Sequence, residues 1–167
     1  MASKMTKRTF LGGAGAATAA ALGAVFLGRG SEASAEVFEV NLTPEQWRRR
    51  LTPHQFRVLR QQGTERAGTS PLNGEHRRGA FLCAGCDLPV YRSQDKFESG
   101  TGWPSFIRPI AGSVRTRPDD TLFMSRTEVH CRRCGGHLGH VFDDGPPPTG
   151  QRWCMNGVAL KFVPARA

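Results

Sequence analysis

The sequence predicts a mainly β domain opened by two short helices. Three observations carry this reading. From Ala80 onward, short runs alternate apolar with polar residues, the period of a half-buried antiparallel strand. The 20 Gly and 11 Pro residues break the chain too often for a helix bundle. Near the start of that domain, Thr-Pro-x-Gln occurs twice, at Thr43-Pro44-Glu45-Gln46 and Thr52-Pro53-His54-Gln55.

In each of these segments Thr offers an N-cap oxygen, Pro suits the first helical position and Gln completes a capping box. Helices are expected over 44–50 and 53–60, burying Trp47, Leu51, Phe56 and Leu59. Residues 63–79 are rich in Gly, Ser, Thr, Pro and charge, and read as a surface loop. Strands are expected over 80–83, 89–92, 106–110, 113–117, 121–130, 139–143 and 151–162. Gly145-Pro146-Pro147-Pro148 reads as a rigid turn.

The amino terminus reads as an address. Lys4, Lys7 and Arg8 precede an uncharged Gly/Ala-rich stretch over 11–28, and Ala33-Ser34-Ala35 is a small-residue cleavage pattern. Lys7-Arg8-Thr9-Phe10-Leu11 is similar to a twin-arginine export signal with Lys in the first position. Residues 1–35 are therefore expected to be an export signal cut after Ala35, leaving 36–167 as one periplasmic domain without stable membrane association. The competing reading is an uncleaved anchor, but 18 residues rich in Gly and Ala make a poor span. Removing Lys4, Lys7, Arg8 and Arg29 against Glu32 takes the net charge from +9 to +6.

Cys83-Ala84-Gly85-Cys86 and Cys131-Arg132-Arg133-Cys134 are two matched CxxC turns. Together they can supply a closed tetrahedral shell of four thiolates, the usual structural zinc site. Two disulfides, a thioredoxin-like redox pair or an iron site compete, and the matched spacing favours one structural Zn ion. Cys154 is left over. In a strand, Arg152, Cys154 and Asn156 share a face, which sets a cation and an amide beside a nucleophilic sulfur. His137 and His140 follow the second CxxC turn and can deliver protons near neutral pH. Trp103, between Gly102 and Pro104, offers a flat apolar wall.

Taken in order, Cys83-x-x-Cys86, Gly102-Trp103-Pro104-Ser105-Phe106, Cys131-x-x-Cys134, His137-Leu138-Gly139-His140-Val141-Phe142, Asp144-Gly145-Pro146 and Arg152-Trp153-Cys154-Met155-Asn156 resemble the methionine-R-sulfoxide reductases. The resemblance covers about residues 42–164. It implies two small antiparallel sheets, with the short helices on the amino-terminal side. It implies that Cys154 attacks the sulfoxide sulfur and becomes a sulfenic acid. His137, His140, Asp144, Arg152 and Asn156 would orient and protonate the oxygen; Trp103 and Phe106 would contact the substrate. Many relatives carry a resolving cysteine where this chain has Thr101. Direct reduction by a thioredoxin-like protein or a small thiol is therefore expected, with methionine sulfoxide in proteins or peptides as substrate and a monomer as the acting form. Relatives often have Ser where this chain has Gly157, a change expected to matter little. The rival reading is a zinc-ribbon module for nucleic acid. It leaves Cys154 unexplained, and the basic residues form no aromatic-basic strip.

Overall fold

The computed structural model describes residues 36–121 and 125–166. The expected export signal, and Leu122, Phe123 and Met124 of the expected strand 121–130, lie outside the described residues. Helix α1 spans Pro44–Arg50 and α2 spans Pro53–Gln61. Both capping boxes form: Gln46 N–H donates to Thr43 Oγ1 at 3.3 Å and Gln55 N–H to Thr52 Oγ1 at 3.2 Å, with each Gln side chain accepting in return. Such caps contribute about 1 kcal/mol each, a large share for helices this short.

The strands are β1 (Gly79–Cys83), β2 (Pro89–Arg92), β3 (Lys96–Phe97), β4 (Ser105–Phe106), β5 (Val114–Asp119), β6 (Arg126–Cys131), β7 (His137–Phe142), β8 (Arg152–Met155) and β9 (Leu160–Pro164). Among the described residues they form two antiparallel sheets. One has the order β2-β1-β9 and the other β3-β4-β8-β7-β6-β5.

Pairing registers sort the second sheet into two faces. Ser105 opposes Cys154, Cys154 opposes His140, His140 opposes Glu128 and Glu128 opposes Arg117. These residues form one polar row across five strands. The alternate positions, including Phe106, Val129 and Met155, face the core, where all three are fully buried. There Tyr91 of β2 stacks on Phe106 at 4.3 Å, and its hydroxyl donates to Met155 Sδ at 3.1 Å. Each such large side chain contributes roughly 1.5–3 kcal/mol by leaving water.

The expected single strand over 151–162 is two strands, in different sheets. Between them Gly157–Ala159 form a 3-10 turn. The cause is Glu65, whose carboxylate accepts from Gly157 N–H and, at 3.0 Å, from Val158 N–H. Those donors are therefore withdrawn from any ladder. The expected surface loop over 63–79 is accordingly partly interior: Glu65 and Ser70 are both buried. Gly157 also has more consequence than expected. A Cβ there would lie 1.8 Å from Ser70 Oγ, so a side chain does not fit beside Ser70.

Candidate active site and metal centre

Two sulfur-bearing regions follow from this framework. The first is built from two tight turns of the same design. After β1, Asp87 N–H donates to the Cys83 carbonyl at 2.9 Å, with Asp87 in the left-handed region at φ 60°. After β6, Gly135 N–H donates to the Cys131 carbonyl at 2.8 Å, with Gly135 at φ 66°. Each turn closes back on its first cysteine and brings both sulfurs to one side. All four Sγ atoms lie within 4.8 Å of one another, with Cys83 to Cys134 at 3.7 Å and Cys86 to Cys131 at 3.5 Å. Four thiolates about 2.3 Å from a tetrahedral Zn²⁺ would stand about 3.8 Å apart, so the cluster fits a metal ion such as zinc. The four residues are buried. Helix α2 braces the cluster: Arg60 Nη1 donates to the Cys134 carbonyl at 2.8 Å while its guanidinium lies over Trp47.

The second region surrounds Cys154, which is only half-buried. It opens into a cavity of about 120 Å³ walled by Trp103, Phe142, His140, Arg126 and Asn156, among others. β7 supplies His140 directly across from Cys154, and β4 supplies Ser105 on the other side. Thr101 Oγ1 stands 3.7 Å from Cys154 Sγ. The cysteine cluster gathers at the β6–β7 turn, and His140 lies four residues beyond Gly136 along the chain, a strand length of roughly 13 Å.

The histidines are held by two carboxylates that sequence reasoning missed. His140 Nε2 contacts Asp119 Oδ2 at 2.7 Å, and Arg126 Nη2 donates to the same oxygen at 2.8 Å. His137 Nδ1 contacts Glu128 Oε1 at 2.8 Å, and Glu128 also accepts from Arg117 and Gln62. The two imidazoles meet edge to face with centroids 5.3 Å apart. Burial lowers the His140 pKa below its ordinary value; the Asp119 hydrogen bond opposes this and Arg126 adds to it. Hydrogen bonds from Thr121 and His140 hold the Asp119 carboxyl well below the usual range. For Glu128, burial alone would raise the pKa. Hydrogen bonds from His137 and Arg117 outweigh it and hold the carboxyl at about 2.

The other expected site residues separate. Asn156 lines the cavity, but its amide is spent on the backbone: Oδ1 accepts from Glu65 N–H at 2.9 Å and Nδ2 donates to the Leu138 carbonyl at 3.1 Å. Arg152 makes a two-pronged pair with the exposed Asp144, both contacts 2.8 Å, and lies over Phe142 at 4.3 Å. Hydrogen bonding to Asp144 raises the Arg152 pKa, and Cys154 adds to it through charge and a side-chain hydrogen bond. Arg152 therefore faces the sulfur as well as backing a cavity wall, while Arg126 is the cation that lines the cavity. Asp144 and His137 are not among the lining residues. Phe106, expected beside the substrate, is packed in the core instead, because it alternates with Ser105 along β4. Trp103 lines the cavity, its indole Nε1 donating to the Glu65 carbonyl at 3.1 Å. Glu65 thus ties the wall, Asn156 and the turn after Cys154 together. No sequence signal distinguished Glu65 from the other charged residues of the 63–79 segment.

The SelR domain matches residues 51–164, a span that contains both regions. The chain belongs to the SelR domain family. Within that span lie both cysteine turns, the histidine pair and Cys154. The peptide methionine sulfoxide reductase MsrB of Leptospira interrogans serogroup Icterohaemorrhagiae serovar Lai is 50% identical over 126 residues, 75% of this chain and 96% of that protein. Its namesake from Thiobacillus denitrificans is 54% identical over 123 residues, 73% of this chain and 93% of that one. The peptide methionine sulfoxide reductase B1, chloroplastic, of Arabidopsis thaliana is 50% identical over 123 residues, covering 73% and 61%.

Proposed function

We propose that this SelR-domain chain is a peptide methionine sulfoxide reductase acting on the R epimer, with Cys154 as its nucleophile. The observation that carries the reading is the position of Cys154. It faces His140 across paired strands, beside a cavity walled by Trp103 and Phe142, while the other four sulfurs converge elsewhere. Cys154 Sγ attacks the sulfoxide sulfur, and the sulfoxide oxygen takes up a proton from His140. The S–O bond to the substrate breaks, methionine departs as the thioether, and the oxygen remains on Cys154 as sulfenic acid. The substrate sulfur is reduced by two electrons and the Cys154 sulfur is oxidised by two. Trp103 and Phe142 receive the methyl group. Asp119, itself held by Arg126, holds His140, and Arg152 with Asp144 fixes the Phe142 wall.

Recycling is direct: one external thiol attacks the sulfenic sulfur and releases water, and a second frees Cys154 while the reductant becomes a disulfide. Thr101 at the edge of the site offers no sulfur for an internal bond. Cys83, Cys86, Cys131 and Cys134 would hold one zinc ion in a structural role, four thiolates leaving no place on it for a substrate. The acting form in this reading is a monomer. Export and removal of residues 1–35 remain part of this reading. Cell fractionation with amino-terminal sequencing of the mature protein tests them, and a cytoplasmic chain with an intact terminus rejects them. No aromatic-basic strip supports the nucleic-acid reading.

The decisive assay is dithiothreitol-driven turnover of each sulfoxide epimer, free and peptide-bound. The R epimer is expected to be consumed, the S epimer to persist, and the peptide form to be preferred. Failure to consume the R epimer would sink the assignment.

A further inference from the structure

Three hydroxyls beside Cys154 have no part in the reaction as written above. Ser105 Oγ donates to the Trp103 carbonyl at 3.1 Å. Ser99 Oγ lies 2.7 Å from Ser105 Oγ and 2.8 Å from Thr101 Oγ1. Thr101 Oγ1 lies 3.7 Å from Cys154 Sγ. Thr101 N–H adds a contact to Ser99 Oγ at 3.4 Å. The row is continuous from the cavity wall to the reacting sulfur.

Each hydroxyl has one proton, and counting protons fixes the direction of the row. A carbonyl only accepts, so the Ser105 proton is committed to Trp103. Ser99 then donates to Ser105, and Thr101 donates to Ser99. The proton left for the last contact is that of the Cys154 thiol. In this sense the row suits a protonated sulfur. Once Cys154 is a thiolate, Thr101 would face it with a lone pair. Turning three hydroxyl rotors reverses the row, so that Thr101 donates to sulfur, Ser99 to Thr101 and Ser105 to Ser99. The reversal gives up one neutral hydrogen bond at Trp103. It gains a charge-assisted one at sulfur, about twice as strong.

We propose that Ser99, Thr101 and Ser105 form a reversible hydroxyl relay that donates a hydrogen bond to the Cys154 sulfur whenever that sulfur is anionic. The inference rests on the reading of Cys154 as nucleophile. It assigns Thr101 a use at both ends of the cycle. Thr101 steadies the attacking thiolate, and it steadies the same thiolate as leaving group when the second reductant thiol splits the mixed disulfide. Ser99 and Ser105 are positioning residues that act through Thr101.

The test follows the pH dependence of Cys154 alkylation by iodoacetamide, read by intact mass on the zinc-loaded full chain. Thr101→Val removes the last donor and is expected to slow alkylation at neutral pH about tenfold. It should lower kcat about as much and leave KM unchanged, and Thr101→Ser should restore both. Ser105→Ala has the opposite sign. It frees Ser99 from its acceptor, lets the row point at sulfur permanently, and should speed neutral alkylation about threefold. A merely structural role would shift both variants the same way. An unchanged alkylation profile in Thr101→Val, or shifts of one sign in the two variants, overturns the relay. Dithiothreitol-driven turnover by Cys154→Ala in the same series would instead overturn the nucleophile reading beneath it.

Discussion

The five cysteines occupy two environments that differ in how many partners meet each sulfur. In the cluster, four thiols from two like turns converge on one point and are buried. A tetrahedral ion there would have no coordination position left for a substrate. Cys154 stands alone on a strand flanked by β4 and β7, half-exposed, with a hydroxyl, an imidazole and a cavity around it. Sulfur is thus buried among its own kind in one place and open to a cavity in the other. Convergence of like groups decides the first; isolation among unlike polar groups decides the second.

The largest expected effect strikes the cluster. Cys131→Ala should cost the zinc ion and cooperative folding together, since a structural site's binding free energy is folding free energy. Metal analysis and thermal unfolding monitored by circular dichroism check this. A folded, active Cys131→Ala protein would erase the distinction between the two regions. Next comes Cys154→Ala, which should reduce turnover to background while zinc content holds and the melting transition barely moves. Loss of zinc in that variant would show that the regions are not separate.

Glu128 sharpens the comparison, because it lies on β6, the strand that ends in Cys131, and holds His137. Its carboxyl has an ordinary pKa near 4.5 and sits at about 2 in the folded protein. A depressed folded-state pKa means stability that is complete above about pH 4.5 and is lost as pH falls toward about 2. The contribution is on the order of 3 kcal/mol. Acid also releases metal from thiolates, so the measurement is the difference between the native chain and Glu128→Gln in denaturant titrations over that window. Parallel acid curves for the two would remove Glu128 as the acid-sensitive link. The smallest effect belongs to Asp119→Asn, expected to reduce kcat about tenfold. Without the carboxylate, His140 holds its proton less well, so the alkaline decline in turnover should move to lower pH. An unmoved decline would separate His140 from proton delivery.

Local signals were legible in the sequence. The capping boxes place α1 as expected and α2 within one residue, because the hydrogen bonds of a cap span three residues. The CxxC turns are equally local. Strand alternation was readable, but strand ends were not: 106–110 shrinks to Ser105–Phe106, and 151–162 splits where Glu65 captures the backbone. Glu65, Asp119, Arg126 and Glu128 gain their places only through strand pairing or loop docking far along the chain. No spacing rule announces such partners. Phe106 was misread for a related reason. Its neighbours in sequence belong to the site, but alternation turns its ring to the opposite face of the sheet.

The contact between Gly157 and Ser70 makes two distant positions mutate as one. A Cβ at 157 and an Oγ at 70 claim the same volume, so Gly157→Ser alone should be disfavoured in this background and tolerated once Ser70 becomes Gly. Substitutions copied singly from relatives into this turn would then mislead, since the permissive change must come first. The order of replacement, rather than the final pair, sets which sequences this family member can reach.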